Sequence, residues 1–473
     1  MPSFYEAVEN LYMRLSEAGT ELHSFVLHTQ SLPDVHWAAS PYSCEDVCEL
    51  YSLSKIFTST AAGLAYDMGL LSPDMAVLPL FPEYSDVCSV DSRWSSLKIR
   101  HILSMTTGHD SCVMASMAFA ENSIRAFFTS SLSHQPGTHF CYNTGATCVA
   151  AEIVRRLTGM NVPSLLDLYL FKPLDIHPYV WETCRDGHCQ GGTGLSLSCS
   201  DVAKLGQLYL QRGIWKNCRL LSEEWIDQAV SIQASTDKNG TPDWSAGYGY
   251  QFWMNHDEGF RGDGAFGQFC LILPQSHTVF TALTESTNMN SALLIIHDFL
   301  HQVKDIHIRD SLPVIRYIPP KSLSVIPSDS GWQLLPPHPS GIRRIRIVLN
   351  ESGAMLSLED DDGVQRLHAP IGRWQENTLF SKNLRPTLFQ MMPRDTRQPI
   401  RAAISTSVQE DGMILFCRSL NTPHAFCVNI SQTNTGLSIR FVSPLNVFKS
   451  RDTIKTTPIL SFPQQNKGVN KNV

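Results

Sequence analysis

The sequence YSLSKIFTSTAAGLA occupies residues 51–65 and combines an apolar helical pattern with two reactive side chains. Its apolar residues recur every three or four positions, which predicts a helix that starts near Ser52 and buries one stripe. Ser52 and Lys55 then lie on one face, with the hydroxyl near the positive end of the helix dipole. The Lys55 amine can reach that hydroxyl and take its proton. Because Ser-x-x-Lys is common by chance in long chains, the assignment depends on the rest of the sequence.

Size and composition indicate a globular protein of two or three folding units. The chain has 473 residues, of which 43% are hydrophobic and 17% charged, too apolar for a largely disordered chain. Lys and Arg number 37 and Asp and Glu 44, a formal net charge of −7. This charge does not favour binding to a polyanion, so we expect no nucleic-acid partner.

The N-terminal residues predict an amphipathic helix, because charged residues interrupt the apolar ones where a signal peptide would be continuously apolar. No apolar run reaches the roughly 20 residues that span a bilayer, so we expect no membrane segment. The 13 cysteines are an odd number and fit reduced thiols better than a disulfide framework. Together these features predict a cytoplasmic protein.

The chain changes character near residue 309. Helical and strand patterns alternate over residues 1–308, and prolines then cluster in a predicted linker at 309–340. Residues 341–473 contain short runs near period two, which predict a small antiparallel β domain. Its acidic run at Glu359–Asp362 ends in Asp362-Gly363, which is typical of a hairpin turn rather than a calcium loop.

Several further motifs accompany the Ser52 region in a recognisable order. They are LKIRHILSMTTGHD (97–110), PGTHFCYNTGATCVAAEIVRRLTG (136–159), GGTGLSLSCSDVAKLGQLYLQRG (191–213), GYGYQFWM (247–254) and DGAFGQFCLILP (263–274). With residues 51–65 they resemble the serine β-lactamase and penicillin-binding-protein-like family, in its class C-related serine hydrolase branch. The resemblance runs from about residue 23 to 300. It implies an α/β (α+β) fold, an antiparallel sheet flanked by helices plus a helical subdomain.

The resemblance also implies roles for individual residues. Ser52 would be the acylated nucleophile, Lys55 its partner, and Tyr142 the base on a loop before a helix. A strand bearing Lys-Thr-Gly or His-Thr-Gly closes the site in this family. Here the backbone N–H groups of Ser52 and Ala265, which follows the strand motif, would form the oxyanion hole.

Two positions depart from the family pattern. The usual Tyr-x-Asn motif reads Tyr142-Asn143-Thr144, so either the Thr144 hydroxyl or the Asn143 amide would contact substrate. The strand motif aligns as Gly262-Asp263-Gly264, which places Asp263 and Gly264 against substrate and leaves no cation to attract a carboxylate. The neighbouring Arg261 could supply one, but a solvated arginine at a strand end is the favoured interpretation.

Other clusters point to no metal or cofactor. His297 and His301 have a zinc-like spacing without a third ligand, and Cys44 with Cys48, or Cys184 with His188 and Cys189, are too isolated for a four-ligand site. No Gly-x-Ser-x-Gly elbow or Walker loop occurs.

We therefore expect a serine hydrolase that acts through a Ser52 acyl-enzyme on a small ester, amide or lactam, with weak β-lactamase activity at most. The alternative is a binding or regulatory protein that retains the fold without turnover, which the missing cation at Gly262 suggests.

Overall fold

The protein was analysed as a computed structural model. The structure describes residues 3–30, 32–237, 241–304, 312–315, 322, 324–325, 327–334, 342–379, 399–410, 412–433, 436–442 and 460–461. The chain forms two compact units. The first contains residues 1–38 and 42–314, and the second contains 39–41 and most of the chain from 315 onward. Much of the predicted linker lies outside the described residues, and the predicted domain boundaries stay a prediction.

The first unit contains helices and strands in alternation. Its helices are α1 (Phe4–Glu17), α2 (Ser54–Asp67), α3 (Ser85–Cys88), α4 (Ile99–Leu103), α5 (Met114–Ala118), α6 (Ser123–Phe128), α7 (Thr144–Thr158), α8 (Val162–Leu166), α9 (Lys172–Leu174), α10 (Cys199–Leu210), α11 (Glu223–Ala229) and α12 (Met289–Val303). Its strands are β1 (Thr20–Thr29), β2 (Leu32–Ala38), β3 (Cys48–Glu49), β4 (Val180–Trp181), β5 (Leu195–Leu197), β6 (Ile214–Trp215), β7 (Cys218–Arg219), β8 (Trp253–Met254), β9 (Phe260–Gly264), β10 (Gln268–Leu273) and β11 (Thr278–Ser286).

A six-stranded antiparallel sheet in the order β2-β1-β11-β10-β9-β8 organises this unit. Adjacent strand residues point to opposite faces of the sheet. All residues of β10 and β11 are buried, so helices cover both faces there. On one face Phe280 packs on Phe299 of α12, with ring centroids 5.9 Å apart. On the other face Val279 lies against Gly206 of α10, where a side chain larger than hydrogen would collide with it. The expected antiparallel sheet flanked by helices is confirmed.

Helices α2 and α7 pack together beside the sheet and are buried over most of their length. Apolar residues recur at helical spacing over 146–157 and predict a helix. This helix is present as α7, and Gly159 ends it in the left-handed conformation at φ 74°. The predicted N-terminal helix is α1. The sequence also predicts a helix from about Ser291 to Val303, and α12 contains these residues.

Two boundaries differ from the prediction. The α-helix begins at Ser54, whereas Ser52 lies in a preceding 3₁₀ turn, Tyr51–Leu53. The composition of Tyr248–Met254 predicts a strand, but only Trp253–Met254 pairs as one. Gln251 at φ 72° turns the chain, and its backbone N–H donates to Leu103. Sequence periodicity does not reveal such a turn.

The second unit is all β within the residues that the structure describes. Its strands are β12 (Ser328–Asp329), β13 (Gln333–Leu334), β14 (Arg344–Asn350), β15 (Gly353–Asp360), β16 (Gly363–Pro370), β17 (Gln375–Leu379), β18 (Ile400–Gln409), β19 (Gly412–Ser419), β20 (Ala425–Thr433), β21 (Gly436–Val442) and β22 (Leu460–Ser461). They form two antiparallel sheets, β12-β14-β15-β16 with β13 beside β14, and β17 to β22 in chain order. The predicted hairpin turn joins β15 to β16, where Asp360 pairs with Gly363.

Two further findings concern the described residues of both units. Within the described part, no helix is both long and apolar enough to cross a membrane. The twelve cysteines that the structure describes are all free.

The end of β9 touches the turn that carries Ser52 so closely that glycine is required there. A methyl group at Gly264 would lie 2.1 Å from the Leu50 carbonyl oxygen and 3.1 Å from the Leu53 nitrogen, which are backbone atoms. We therefore expect Gly264→Ala to lower the free energy of unfolding by about 1–3 kcal/mol, the usual range for overpacking. Thermal or denaturant unfolding of the purified variant measures this.

Gly262→Ala is the matched control on the same strand. Its methyl group would meet the ends of the Leu53 and Ile56 side chains, at 2.6 Å and 2.7 Å, and these side chains can move. A larger loss of stability for Gly262→Ala than for Gly264→Ala would contradict the backbone clash.

Candidate active site

The turn Tyr51–Leu53 holds Ser52 in a partly exposed position at the start of α2. Tyr51, immediately before it, has φ 50°, a left-handed conformation that is uncommon for a bulky residue and is held by the surrounding structure. The Tyr51 ring is buried edge-on against Phe266, with centroids 5.2 Å apart. Ser54 is fully buried, and its hydroxyl donates to the Tyr51 carbonyl at 2.6 Å. Of the two serines in this motif, Ser52 is therefore the accessible one.

Lys55 is buried from solvent and points at Ser52. Its Nζ donates to Ser52 Oγ at 3.0 Å, to Thr144 Oγ1 at 3.1 Å and to the Gly192 carbonyl at 2.9 Å. Three N–H donors are all that an ammonium group has, so each has a partner. Gly192 can approach because a side chain there would collide with Thr144. One amine thus connects three separate chain segments.

Burial also changes the acidity of this amine. Lys55 is 1% exposed, and the cost of keeping a charge away from water lowers its pKa from 10.5 to about 8. The negative charge of Asp263 acts in the opposite direction. A substantial neutral fraction is therefore present at mildly alkaline pH, which is what a general base requires.

Tyr142 lies next to Ser52, two residues before the start of α7. Its hydroxyl is hydrogen bonded to Ser52, and Lys55 Nζ lies 4.8 Å from the centre of its ring. The ring stacks on Trp253 with centroids 5.5 Å apart and planes 16° from parallel. Burial, and next the charge of Asp263, raise the pKa of Tyr142 well above its usual value. The phenol is accordingly neutral in the resting site.

Asn143 and Thr144 have different surroundings. Asn143 is buried, and its side-chain oxygen accepts from the N–H groups of Gly145, at 3.0 Å, and Val113, at 3.1 Å, so it caps α7 and ties a loop to it. Thr144 is the first residue of α7, and its hydroxyl accepts from Lys55. Of the two residues predicted to contact substrate, Thr144 is the one with a direct link to the Ser52–Lys55 pair.

Strand β9 brings the third predicted element to the site. Gly262 and Gly264 face the Ser52 turn and α2, and Ala265 follows the end of the strand. Arg261 and Asp263 alternate with the glycines and point to the other side. The position of Ala265 beside the Ser52 turn is compatible with the predicted oxyanion hole.

Arg261 is completely buried, so the expectation of a solvated arginine is wrong. Its Nε donates to Asp263 Oδ2 at 3.1 Å, and its Nη1 donates to the Met254 carbonyl at 3.0 Å and lies 3.9 Å from Asp243 Oδ1. The guanidinium also lies over the Trp244 ring at 5.1 Å. Its partners come from a loop and a neighbouring strand that period-two patterns do not place, which is why the sequence failed to indicate burial.

Sequence reasoning also missed the Gly192 carbonyl, Trp253 and Asp243. The glycine-rich GGTG at residues 191–194 was a recognisable indication of a close approach, since Gly191 and Gly192 both lack room for a side chain. Nothing in the local sequence marks Trp253 as the stacking partner of Tyr142, or Asp243 as a partner of Arg261.

Possible metal ligands lie elsewhere. His297 Nε2 lies 3.4 Å from Asp243 Oδ1, and His301 is largely exposed, so the structure directs the two imidazoles to different surroundings. A surface group of Asp110, His134 and His139 places its ligand atoms within 4.8 Å of one another. Asp110 Oδ1 and His134 Nε2 are already hydrogen bonded at 2.6 Å, which accounts for their proximity.

The chain is similar to known proteins over most of its first unit. A profile of the Beta-lactamase family matches residues 34–302. A 6-aminohexanoate-dimer hydrolase of Paenarthrobacter ureafaciens is 26% identical over 297 residues, which cover 58% of this chain and 75% of that protein.

Two solved structures show the same fold at low identity. The octameric penicillin-binding protein homologue from Pyrococcus abyssi has a TM-score of 0.50 and 13% identity, covering 93% of this chain and 98% of its own. EstCE1, a hydrolase with promiscuous acyltransferase activity, has a TM-score of 0.51 and 15% identity, covering 63% and 98%.

Replacement of the nucleophile tests its assignment directly. We expect Ser52→Ala to abolish covalent labelling by a fluorophosphonate, read by intact mass, and essentially all ester hydrolysis, because the attacking oxygen is absent. Ser54→Ala is the matched control, since it removes a hydroxyl two residues away, at the start of α2. A folded Ser52→Ala protein that hydrolyses an ester at the native rate would show that another residue is the nucleophile.

Lys55→Ala and Tyr142→Phe test the proton network. Each should lower the acylation rate by about two to four powers of ten, as for general acid–base groups. The double variant should lose less than the sum of the two penalties, because both groups contact Ser52. Stopped-flow or mass-resolved acylation measures these rates.

The pH profile of the native protein completes this test. If neutral Lys55 takes the proton, acylation rises with pH through about 8 and levels off above it. In the double-variant test above, a rate loss equal to the sum of the two single-variant losses in free energy would show that Lys55 and Tyr142 act in separate steps.

Proposed function

This chain belongs to the Beta-lactamase family, and we propose that it is a serine hydrolase in which Ser52 forms an acyl-enzyme with a small ester or amide. The observation that carries the proposal is the 3.0 Å hydrogen bond between Lys55 Nζ and the accessible Ser52 Oγ. A buried amine whose pKa is lowered, next to an accessible hydroxyl, is the arrangement that activates a serine.

The proposed reaction begins with attack of Ser52 Oγ on the substrate carbonyl carbon. Neutral Lys55 accepts the hydroxyl proton, and the Tyr142 hydroxyl, hydrogen bonded to the same oxygen, passes a proton to the leaving group. The bond to the alcohol or amine then breaks and leaves an ester on Ser52. In the second half water attacks this ester and gives a proton to the Tyr142 phenolate that the first half left. Protonated Lys55 returns its proton to Ser52 Oγ as the bond to the acyl group breaks, and the carboxylic acid leaves.

The negative charge that develops on the carbonyl oxygen needs fixed donors. We assign this role to the backbone N–H groups of Ser52 and Ala265, because the end of β9 lies against the Ser52 turn. Backbone donors do not depend on side-chain identity, so stabilisation of the oxyanion persists although the strand motif has diverged.

The charges around the strand motif support a preference against carboxylate-bearing substrates such as penicillins. Gly262 supplies no cation, Arg261 is buried in internal contacts, and Asp263 places a carboxylate on the same strand. One missing charge-assisted hydrogen bond costs about 1.5–3 kcal/mol, or roughly ten- to a hundredfold in affinity. A small neutral ester or amide incurs no such penalty.

The relative from Paenarthrobacter ureafaciens is a 6-aminohexanoate-dimer hydrolase, and EstCE1 is a hydrolase with promiscuous acyltransferase activity. They support the proposal of a small-molecule substrate for this chain and offer no indication of a nucleic-acid partner. A cytoplasmic location is likewise proposed, on the free cysteines of the described residues.

A second candidate is a binding or regulatory protein that has kept the fold and lost turnover. The absence of a cation at Gly262 favours it. Stoichiometric labelling of Ser52 by a fluorophosphonate, followed by no turnover of any ester, would support this candidate over an enzyme.

Substrate preference is tested with one preparation and three chromogenic substrates. We expect kcat/KM for p-nitrophenyl acetate and p-nitrophenyl butyrate to exceed that for a chromogenic cephalosporin, because the cephalosporin carries a carboxylate that Asp263 repels. The Ser52→Ala protein provides the background rate. A kcat/KM for the cephalosporin well above those for both esters would contradict the proposal.

A further inference from the structure

Asp110, His134 and His139 form a surface cluster in the first unit that the proposed chemistry does not use. One carboxylate oxygen and one nitrogen from each imidazole lie within 4.8 Å of one another. Within the part of the chain that the structure describes, this is the one group of three such side chains that converges so closely. Four residues separate the two histidines, a spacing that occurs in zinc sites. The cluster therefore has the residue types of a metal site, and its carboxylate, 24 residues before His134, is what the sequence alone does not connect.

The hydrogen bond between Asp110 and His134 explains only part of this cluster. It joins Oδ1 to Nε2 at 2.6 Å and accounts for these two side chains. His139 is a third donor that this bond does not require, and its ring stacks on that of His134 with centroids 4.1 Å apart and planes 28° from parallel. A neutral imidazole has one nitrogen lone pair, which is the group that binds a metal ion. Two imidazoles and one carboxylate are thus held together at one place.

The backbone below these side chains is fixed by direct contact between two segments. The N–H groups of Ser133 and His134 donate to the Gly108 carbonyl, at 2.8 Å and 2.9 Å. Gly108 has φ 95°, and a methyl group there would lie 2.5 Å from the His134 carbonyl oxygen. A site whose backbone is already in place loses less conformational entropy when it binds a ligand.

Asp110 is itself held in position from both sides. The preceding residue, His109, is 1% exposed, and its Nε2 is hydrogen bonded to Ser130 Oγ at 2.7 Å. Hydrogen bonds from the Ser133 side chain, and next from His134, lower the pKa of the Asp110 carboxyl. Partners of this kind orient a ligating carboxylate. Asp110 is therefore an oriented anion at neutral pH.

The distances present are close to those that a bound ion requires. Zinc bonds of about 2.0–2.2 Å place the ligand atoms of a tetrahedral site about 3.4 Å apart. The ion would replace the proton shared by Asp110 and His134 and widen that gap slightly. The largest separation in the cluster, at most 4.8 Å, would shrink by about 1.4 Å or less. The Asp110 and His134 side chains are 58% and 38% exposed, so they can rotate and an ion can reach them from solvent.

We propose that Asp110, His134 and His139 bind a divalent transition-metal cation, and that Zn²⁺ is the ion their chemistry favours. Imidazole nitrogens and a carboxylate oxygen are ligands that zinc accepts, and three protein ligands leave the fourth position to water. Mg²⁺ and Ca²⁺ prefer oxygen ligands and bind here more weakly. The inference goes beyond the proposed function, because the site uses none of the residues assigned to hydrolysis.

Zinc titration of the chelator-treated native protein tests the site. We expect one equivalent of Zn²⁺ per chain, with a Kd in the micromolar range by calorimetry, and metal analysis after dialysis should find the same ratio. Mg²⁺ at the same concentration should give no binding signal. A Kd for Zn²⁺ weaker than about 100 µM would overturn the inference.

The native protein also has exposed thiols, and Co²⁺ in place of Zn²⁺ distinguishes them from the proposed ligands. Cys112 is exposed and lies two residues after Asp110. A cobalt ion bound by imidazole and carboxylate shows visible bands without the intense near-ultraviolet charge-transfer band of a thiolate ligand. We expect the spectrum without that band. A stoichiometric thiolate band would place the metal on cysteine and overturn the assignment.

His139→Ala and Asp110→Asn identify the ligands. His139→Ala removes one ligand and leaves the hydrogen bond between Asp110 and His134 in place, so the loop should stay folded. Loss of even an outer partner of a metal site costs about 10–100-fold in affinity, so each variant should bind Zn²⁺ at least about tenfold more weakly. Native affinity in both variants would overturn the inference. Should one variant fail to fold, the other variant and the cobalt spectrum still decide the question.

His301→Ala is the matched control. Asp257 contacts His256 at 2.9 Å through Oδ1 and His301 at 3.5 Å through Oδ2, so this surface group has the same three residue types. Its ligand atoms do not converge within 4.8 Å as those of the proposed site do. The control should keep the native affinity and stoichiometry. A loss of zinc binding in His301→Ala equal to that in His139→Ala would contradict the proposed location.

Discussion

The buried amine of Lys55 is the constraint around which the first unit is arranged. A charge that has left water must have hydrogen-bond partners, and Lys55 finds three, in Ser52, Thr144 and Gly192. Each belongs to a different segment: the turn before α2, the first residue of α7, and a glycine-rich loop. The requirement to satisfy one ammonium group thus fixes the relative positions of the groups that are proposed to perform the chemistry.

The sequence predicted these segments well where the information is local. The Ser52–Lys55 spacing and the apolar period of α7 with Gly159 both depend on neighbours within a few residues, and the structure shows the expected helices and a Ser52–Lys55 hydrogen bond. The fold could be predicted mainly from the order of several motifs along the chain, because no single motif is specific for this family.

What the sequence could not predict depends on contacts between distant segments. Arg261 has the character of a surface residue, yet cross-strand packing with Trp253 and pairing with Asp243 bury it. The run Tyr248–Met254 has the composition of a strand, yet a tight approach of Gly249 to the Ala229 carbonyl and the left-handed Gln251 bend it. The site therefore contains three features that each cost folding free energy: the left-handed backbone of Tyr51, the buried lysine and the buried arginine. Such strained backbone and buried charges are common at functional sites.

The pairing of β1 with β11 has a consequence for how the molecule is made. Thr20–Thr29 forms its ladder with Thr278–Ser286, so one of the central strands of the sheet finds its partner only after some 250 further residues have been synthesised. At translation rates of about 5–20 residues per second, β1 waits for roughly 13 to 50 seconds. During that time its apolar residues, among them Phe25 and Val26, are without the strand that later covers them. Until then β2, which follows directly in the chain, is the one strand of this ladder beside β1. Apolar surface and strand edges exposed in this way favour aggregation of a nascent chain.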